Sequence, residues 1–464
     1  IATLAMVRGL SKEGFGAYSL AAALVYVFGT VANFGTENVL TRDFSRSQEE
    51  GKRTLGVVAI FRIALAAPAV GLAVLASWLL GYGTVVTSVT LVAALIIPMS
   101  VYAVYLAYFS AILRSGRVMM VNIGTQAAAS AGILLVLYAG WGLLALVAVE
   151  TAARVAGIFV IARIGRREVP LRIRWDTQRA RDVLRSCFPL FLVSAVTVLY
   201  TRVVLLMLGA YLTPADVGLY SAAARLVEML SIINVPLAAT LFPLLARFAA
   251  QDRDAFELAV DRGYRFTLIL ILPVAVAMSV LAAPLVTLVF GPSYAPAADV
   301  LRVLVWSQVL AFAATVTTSL MIAERMEAWN LGYQSAAFAA TLLLALFAIP
   351  RWGIVGAASA VVVGGILPLP LLAASAKTRR PARFLLGSLA RVATAVAPAG
   401  AILLILTRPM SVPRTFAALV LAGIVYIVFL FLTRAVTVAE VRELRRVIRR
   451  GKAPADALNQ PPND

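Results

Sequence analysis

The chain contains no histidine and one cysteine, Cys187. Without histidine it lacks the commonest general base and metal ligand. With one cysteine it can form no internal disulfide and no Cys/His metal cluster. Carboxylates are scarce, 22 against 41 Lys and Arg. No Gly-x-x-x-x-Gly-Lys-Ser/Thr loop is present to cradle a nucleotide phosphate. Long polar connections on one side of the chain are also missing. These absences argue against an enzyme, and no cofactor or metal is expected.

Apolar residues are in excess. They make up 62% of the 464 residues, and the mean hydropathy is +0.92. A soluble domain has roughly 45–50%. The excess falls in blocks long enough to span the ~30 Å hydrocarbon core as helices. The chain therefore reads as an all-α multi-pass membrane protein. Helices are expected at about 15–35, 54–80, 84–112, 118–138, 141–162, 187–210, 217–241, 264–290, 300–322, 328–349, 353–375, 384–406 and 414–433. Residues 1–9 read as the second half of helix 1, which makes fourteen helices in all. That segment lacks the basic start and the A-x-A site of a signal peptide.

The net charge is +19. In a membrane protein this excess marks cytoplasmic connections facing anionic lipid, and no nucleic-acid partner is expected. Alternate connections starting after helix 2, together with the tail, hold 30 Lys and Arg. The other set holds Lys12, Arg351, Arg408 and Arg414. The positive-inside rule then puts both termini in the cytoplasm, with the plasma membrane as the expected location. In the tail, Val438, Val441, Leu444 and Ile448 line one face and arginines fill the other, as in a helix lying on anionic lipid.

The chain repeats itself. Leu10 to Leu24, LSKEGFGAYSLAAAL, aligns with the segment starting at Leu212, LTPADVGLYSAAARLVE. Gly16 meets Gly218, and Tyr18 meets Tyr220. Trp141-Gly142 likewise meets Trp352-Gly353. The offsets are 202 and 211 residues. The chain divides accordingly into a six-helix lobe (1–162), a basic linker (163–186), a second six-helix lobe (187–375), two additional helices (384–433) and a basic tail (434–464). Six helices per repeat keeps both copies in one orientation, as in transporters with parallel repeats. Alternating access between the lobes is the functional expectation.

Charges inside the apolar runs are the candidate functional residues, because an Arg or Asp at a helix centre costs about 2.5–3.5 kcal/mol on insertion scales. Arg62, Arg302 and Arg391 read as lying near helix ends, where they can snorkel. Glu150 and Arg154 are spaced for a local i,i+4 pair. Arg202 sits in mid-helix 7. Arg225 lies inside helix 8 with Glu228 at i+3. Arg225 aligns with Ala23, so the repeated scaffold carries this charge only once. Arg forks match phosphate oxygens. The surplus of embedded Arg over embedded acid points to an anionic, phosphorylated substrate. A drug-cation antiporter, the main alternative, would call for embedded carboxylates. A membrane glycosyltransferase or ligase would call for a large exterior loop, and none is found.

Several segments carry a resemblance to a family. RGLSKEGFGAYSLAAAL, NFGTENVLTRDFSR, LMLGAYLTPADVGLYSAAARLVE, ATLFPLLARF, VFGPSYAPAADVLRVLVWSQ and WGIVGAASA resemble Wzx-type lipid-linked oligosaccharide flippases, also called polysaccharide biosynthesis proteins. These belong to the multidrug/oligosaccharidyl-lipid/polysaccharide exporter superfamily. The resemblance implies movement of polyprenyl-linked sugars from the inner to the outer leaflet. It implies lipid-linked oligosaccharide and anionic lipids as binding partners, and a glycan polymerase or glycosyltransferases nearby. It also implies that Arg8, Arg202 and Arg225 contact the pyrophosphate or acidic sugars. Relatives often carry Asp just before the LMLG segment; here that position is Val204. Glu228 and Glu150 remain as carboxylates for ion coupling.

Overall fold

The computed structural model describes residues 2–170, 176–374, 376–406, 412–433 and 435–436. The expected interfacial helix at 438–448 and most of the basic tail lie outside them. Every described element is helical. In chain order these are α1 (Ala2–Gly9), α2 (Lys12–Asn33), α3 (Thr36–Arg46), α4 (Gln48–Leu79), α5 (Gly83–Ala94), α6 (Ile96–Met99) and α7 (Val104–Ala111). Next come α8 (Ser115–Ala139), α9 (Gly142–Glu168), α10 (Thr177–Tyr211), α11 (Pro214–Met229), α12 (Ser231–Gln251) and α13 (Arg253–Val280). The last are α14 (Ala282–Phe290), α15 (Ala297–Leu304), α16 (Trp306–Ala323), α17 (Glu327–Ile366), α18 (Ala376–Leu406) and α19 (Val412–Leu432).

Twelve segments of the described residues are long and apolar enough to cross a membrane. One of them, Glu327–Ala373, is 47 residues long. It breaks at Gly353, where φ is 56° and ψ is −137°. That break separates the expected helices 11 and 12, and α1 supplies helix 1. The fourteen expected segments are thus accounted for. The two Trp-Gly turns agree in detail. Gly142 and Gly353 both take positive φ, a conformation glycine adopts without penalty. Trp141 and Trp352 are both exposed beside them.

The charged connections hold more helix than composition suggests. α4 begins at Gln48 rather than near 54, because the Ser47 hydroxyl accepts from Glu50 N at 3.1 Å. α10 begins ten residues early, capped by Asp176, whose carboxylate accepts from Gln178 and Arg179 N at 3.0 Å each. Asp252 alone separates α12 from α13 and caps the latter. Such caps satisfy the free N–H groups of a first turn. Polar residues reading as loop therefore become helical extensions of membrane spans.

Packing divides the chain into two compact units. The first comprises Ile1–Ala224, Val286–Val300 and Leu342–Ala360. The second comprises Arg225–Leu285, Leu301–Thr341 and Val361–Asp464.

In the first unit the two copies of the repeated element touch each other. A Cβ on Gly16 would overlap the Pro214 carbonyl oxygen, and one on Gly218 would overlap the Lys12 carbonyl oxygen. Lys12 is the repeat equivalent of Pro214. The contact is thus reciprocal, as across a two-fold axis. Two polar networks brace the same unit. Arg62 is 2% exposed and lies deep in α4. It donates to Asn33 Oδ1 at 2.5 Å, Thr36 Oγ1 at 3.0 Å and the Ser100 carbonyl at 2.7 Å. The expected snorkelling of Arg62 is therefore corrected. The Ser47 cap moves the helix start back and leaves this residue mid-helix, where neutral oxygens satisfy its fork. Asp43, also buried, accepts from Thr54 Oγ1 at 2.7 Å and from Arg179 at 3.0 Å. This ties α3 and α4 to the start of α10. An apolar cluster including Val39, Phe44, Tyr105, Phe109, Ile161 and Cys187 packs beside it.

In the second unit α13 packs on α18 and α16, and α18 packs on α19. Tyr264 and Thr317 hydroxyls meet at 2.9 Å, and Tyr426 Oη donates to the Ile269 carbonyl at 2.8 Å. Arg380 reaches Glu257 at 3.1 Å, and Arg253 pairs with Glu324. Ala399, Leu403, Ala418 and Ala422 form the seam between α18 and α19. Such small residues let membrane helices approach closely.

Candidate functional site

Arg202 and its neighbours come first. Arg202 sits about three-quarters along α10, in a span with mean hydropathy 2.1. Its guanidinium lies over the Tyr26 ring of α2, 5.1 Å from the centroid. Tyr26 is itself exposed. A cation over an aromatic face keeps its charge while losing part of its hydration. Tyr82 helps to hold α10 against the unit. Its phenol donates to the Leu206 carbonyl at 2.6 Å. Burial pushes that phenol well above the usual tyrosine range, so it remains a donor. Val204, where relatives often place Asp, is buried.

Arg225 stands in the second unit on α11. It forms an ion pair with Glu228 at 3.1 Å, and both side chains are partly exposed. The i,i+3 spacing that placed them on one face thus brings them into contact.

Arg8 occupies different surroundings, in the first unit. It donates to the carbonyls of Leu288 at 2.5 Å and Val289 at 2.7 Å. These are carbonyls of the last turn of α14, where a cation complements the helix dipole. Next along the chain Tyr294 is buried. Burial and, secondarily, Glu13 push its phenol up to about 12. Glu150 meets Arg154 at 2.6 Å and accepts from Tyr18 Oη at 3.2 Å. The expected local pair therefore forms, with a tyrosine from α2 added. Arg8, Arg202 and Glu150 thus have separate partners within one unit.

A reading centred on charge passes over a neutral motif. Asn122-Ile-Gly-Thr-Gln126 on α8 recurs as Asn330-Leu-Gly-Tyr-Gln334 on α17, at an offset of 208 residues. This offset falls between the other two, so one duplication explains all three. A self-comparison at that spacing would have found it. Gly332 of the second copy lines a cavity of about 310 Å³ with Trp329, Tyr333, Leu371 and Leu372.

The described architecture is that of solved multi-pass membrane transporters. A structure of "Lipid II flippase MurJ, inward closed conformation" superposes with a TM-score of 0.72, covering 92% of this chain and 95% of that one at 15% identity. An "inward-facing conformation of a multidrug resistance MATE family transporter of the MOP superfamily" gives 0.64, covering 85% and 93% at 14% identity. No curated protein sequence matches the chain. The family model described as polysaccharide biosynthesis protein matches residues 5–299. The chain belongs to that family of multi-pass membrane proteins.

Proposed function

We propose that the protein flips a polyprenyl-phosphate-linked oligosaccharide, or a related anionic lipid-linked glycan, from the inner to the outer leaflet by alternating access. The observation that carries this reading is Arg202, a cation kept partly exposed on an aromatic ring inside a membrane span. The family and the fold shared with a lipid II flippase support it. A phosphorylated head group accounts for the cost of keeping that charge in the membrane.

In this reading the lipid tail stays in the bilayer while the head group crosses through the protein. Arg8, Arg202 and Arg225 are the head group's phosphate and acidic-sugar contacts, Arg8 from its place against the last turn of α14. Phosphate binding at Arg225 releases Glu228, which then takes up a proton or a metal cation. Glu150, held by Arg154 and Tyr18, is the second coupling carboxylate. With an inside-negative potential, outward movement of one negative charge is favoured by about 2.3 kcal/mol per 100 mV. Both termini and the basic connections face the cytoplasm and its anionic lipids. A glycosyltransferase or glycan polymerase would supply or consume the substrate.

The test is surface glycan in cells carrying Arg202→Ala or Arg225→Ala at equal protein level. The reading expects glycan to fall and lipid-linked intermediates to collect inside. Wild-type glycan in both variants would refute it, and drug efflux dependent on Glu150 or Glu228 would favour a multidrug-type antiporter.

A further inference from the structure

The duplicated Asn-x-Gly-x-Gln segment has no part in the arginine chemistry. Both copies lie within membrane spans, Gly116–Ala139 and Glu327–Ala373. Asn122 and Gln126 are exposed on α8, and among the described residues neither side chain makes a hydrogen bond. In the second unit Asn330 Oδ1 accepts from Thr318 Oγ1 at 3.4 Å and from Gln334 Nε2 at 3.3 Å. Asn234 Oδ1 accepts from Thr315 Oγ1 at 2.9 Å. Thr315 and Thr318 share one face of α16, so the polar strip crosses three helices. These bonds use the carboxamide oxygens. The amide nitrogens of Asn234 and Asn330 bond to none of the described residues.

Such groups do not face hydrocarbon without a large desolvation cost. Polar contacts between membrane helices join the helices that carry them, which accounts for the oxygens and not for the nitrogens. Asn and Gln are one helical turn apart in each copy, so each pair lies on one face of its helix, and in the second copy the two carboxamides meet at 3.3 Å. A contact of that length is close to the separation of neighbouring hydroxyls on a sugar ring. Neutral carboxamides also leave the charge of the head group to the arginines. Trp329 and Tyr333, each one position before a carboxamide, put an aromatic wall on the adjoining face of α17.

We infer that each carboxamide face is by itself a binding surface for sugar hydroxyls of the head group, one formed by Asn122 and Gln126 in the first unit and one by Asn234, Thr315, Asn330 and Gln334 in the second. The inference rests on the flippase reading and adds the residues that distinguish a glycan-bearing lipid from the bare carrier.

The test uses the full chain purified into nanodiscs. It is offered the lipid-linked glycan fraction extracted from the producing cells together with sugar-free undecaprenyl diphosphate. Native mass spectrometry reads the bound ratio. Wild type is expected to enrich the glycan-bearing lipid by roughly tenfold, the effect of one or two net hydrogen bonds. The paired variants Asn122→Leu/Gln126→Leu and Asn330→Leu/Gln334→Leu are expected to bring the ratio near one and still bind undecaprenyl diphosphate. Asn330→Ser/Gln334→Ser, which keeps polar groups, is expected to retain part of the preference and guards against a folding defect. A ratio unchanged in both Leu pairs, or a change in oligomeric state alone, overturns the assignment. So does equal binding of both lipids by wild type. Wild type that binds neither lipid overturns the flippase reading itself.

Discussion

Gly16 and Gly218 stand against each other's helix, each occupying the space a Cβ would need beside the other repeat's backbone. Neither neighbour is a flexible side chain. The contacting atoms are the carbonyl oxygens of Pro214 and Lys12, so nothing can swing aside. Gly16→Ala and Gly218→Ala are each expected to destabilise the protein by about 1–3 kcal/mol, the usual cost of overpacking. Thermal unfolding in detergent measures this. Gly29, in the same helix as Gly16, has open space where a Cβ would stand, with no atom within 4 Å. Gly29→Ala is expected to leave the midpoint unchanged or raise it.

Arg62 binds three separate oxygens from α2, α3 and the turn before α7. Arg62→Met fills the space but leaves those oxygens buried without a donor. A loss of at least about 1–3 kcal/mol is expected, the cost of leaving a buried acceptor without its donor. Folded yield and thermal midpoint in detergent report it. An unchanged midpoint would mean that water replaces the guanidinium.

Periodicity and repetition are legible in the sequence; local capping and tertiary contact are not. Helix number and the Trp-Gly turns follow from apolar blocks and duplicated residues. The helical starts at Gln48 and Thr177 do not, because one cap residue recruits charged neighbours into the helix. Arg62 reads as peripheral for the same reason. Glu150–Arg154 and Arg225–Glu228 are legible from spacing alone. The engagement of Arg8 with α14 is not, since it joins residues 280 positions apart. The carboxamide motif is plain in the sequence but carries no charge, and a search for expensive charges does not see it.

Asp43 and Arg179 join α3 to α10 through a shared contact with Thr54. A double-mutant cycle with Asp43→Asn and Arg179→Gln is expected to give a coupling energy of about 1–3 kcal/mol. Chemical unfolding of the purified protein reads it. Additive effects would show the pair to be independent.

Glu228 holds the Arg225 guanidinium at 3.1 Å. If phosphate displaces it, Glu228→Gln is expected to tighten pyrophosphate binding several-fold, consistent with the loss of one competing charge pair. The same variant is expected to weaken the dependence of transport on a pH or sodium gradient. Calorimetry with inorganic pyrophosphate and transport with and without a gradient separate the two effects. Weaker pyrophosphate binding would assign Glu228 to positioning Arg225 instead.

The most direct measurement is leaflet-to-leaflet movement in proteoliposomes. The purified chain is reconstituted with lipid-linked glycan from the producing cells, and a membrane-impermeant lectin reads the glycan newly reaching the far leaflet. The account predicts movement with the wild-type chain, and a rate at least about tenfold lower for Arg202→Ala/Arg225→Ala at equal incorporation, in keeping with loss of charge-assisted phosphate contacts. Equal rates for variant and wild type, or no movement with the wild-type chain, would contradict it.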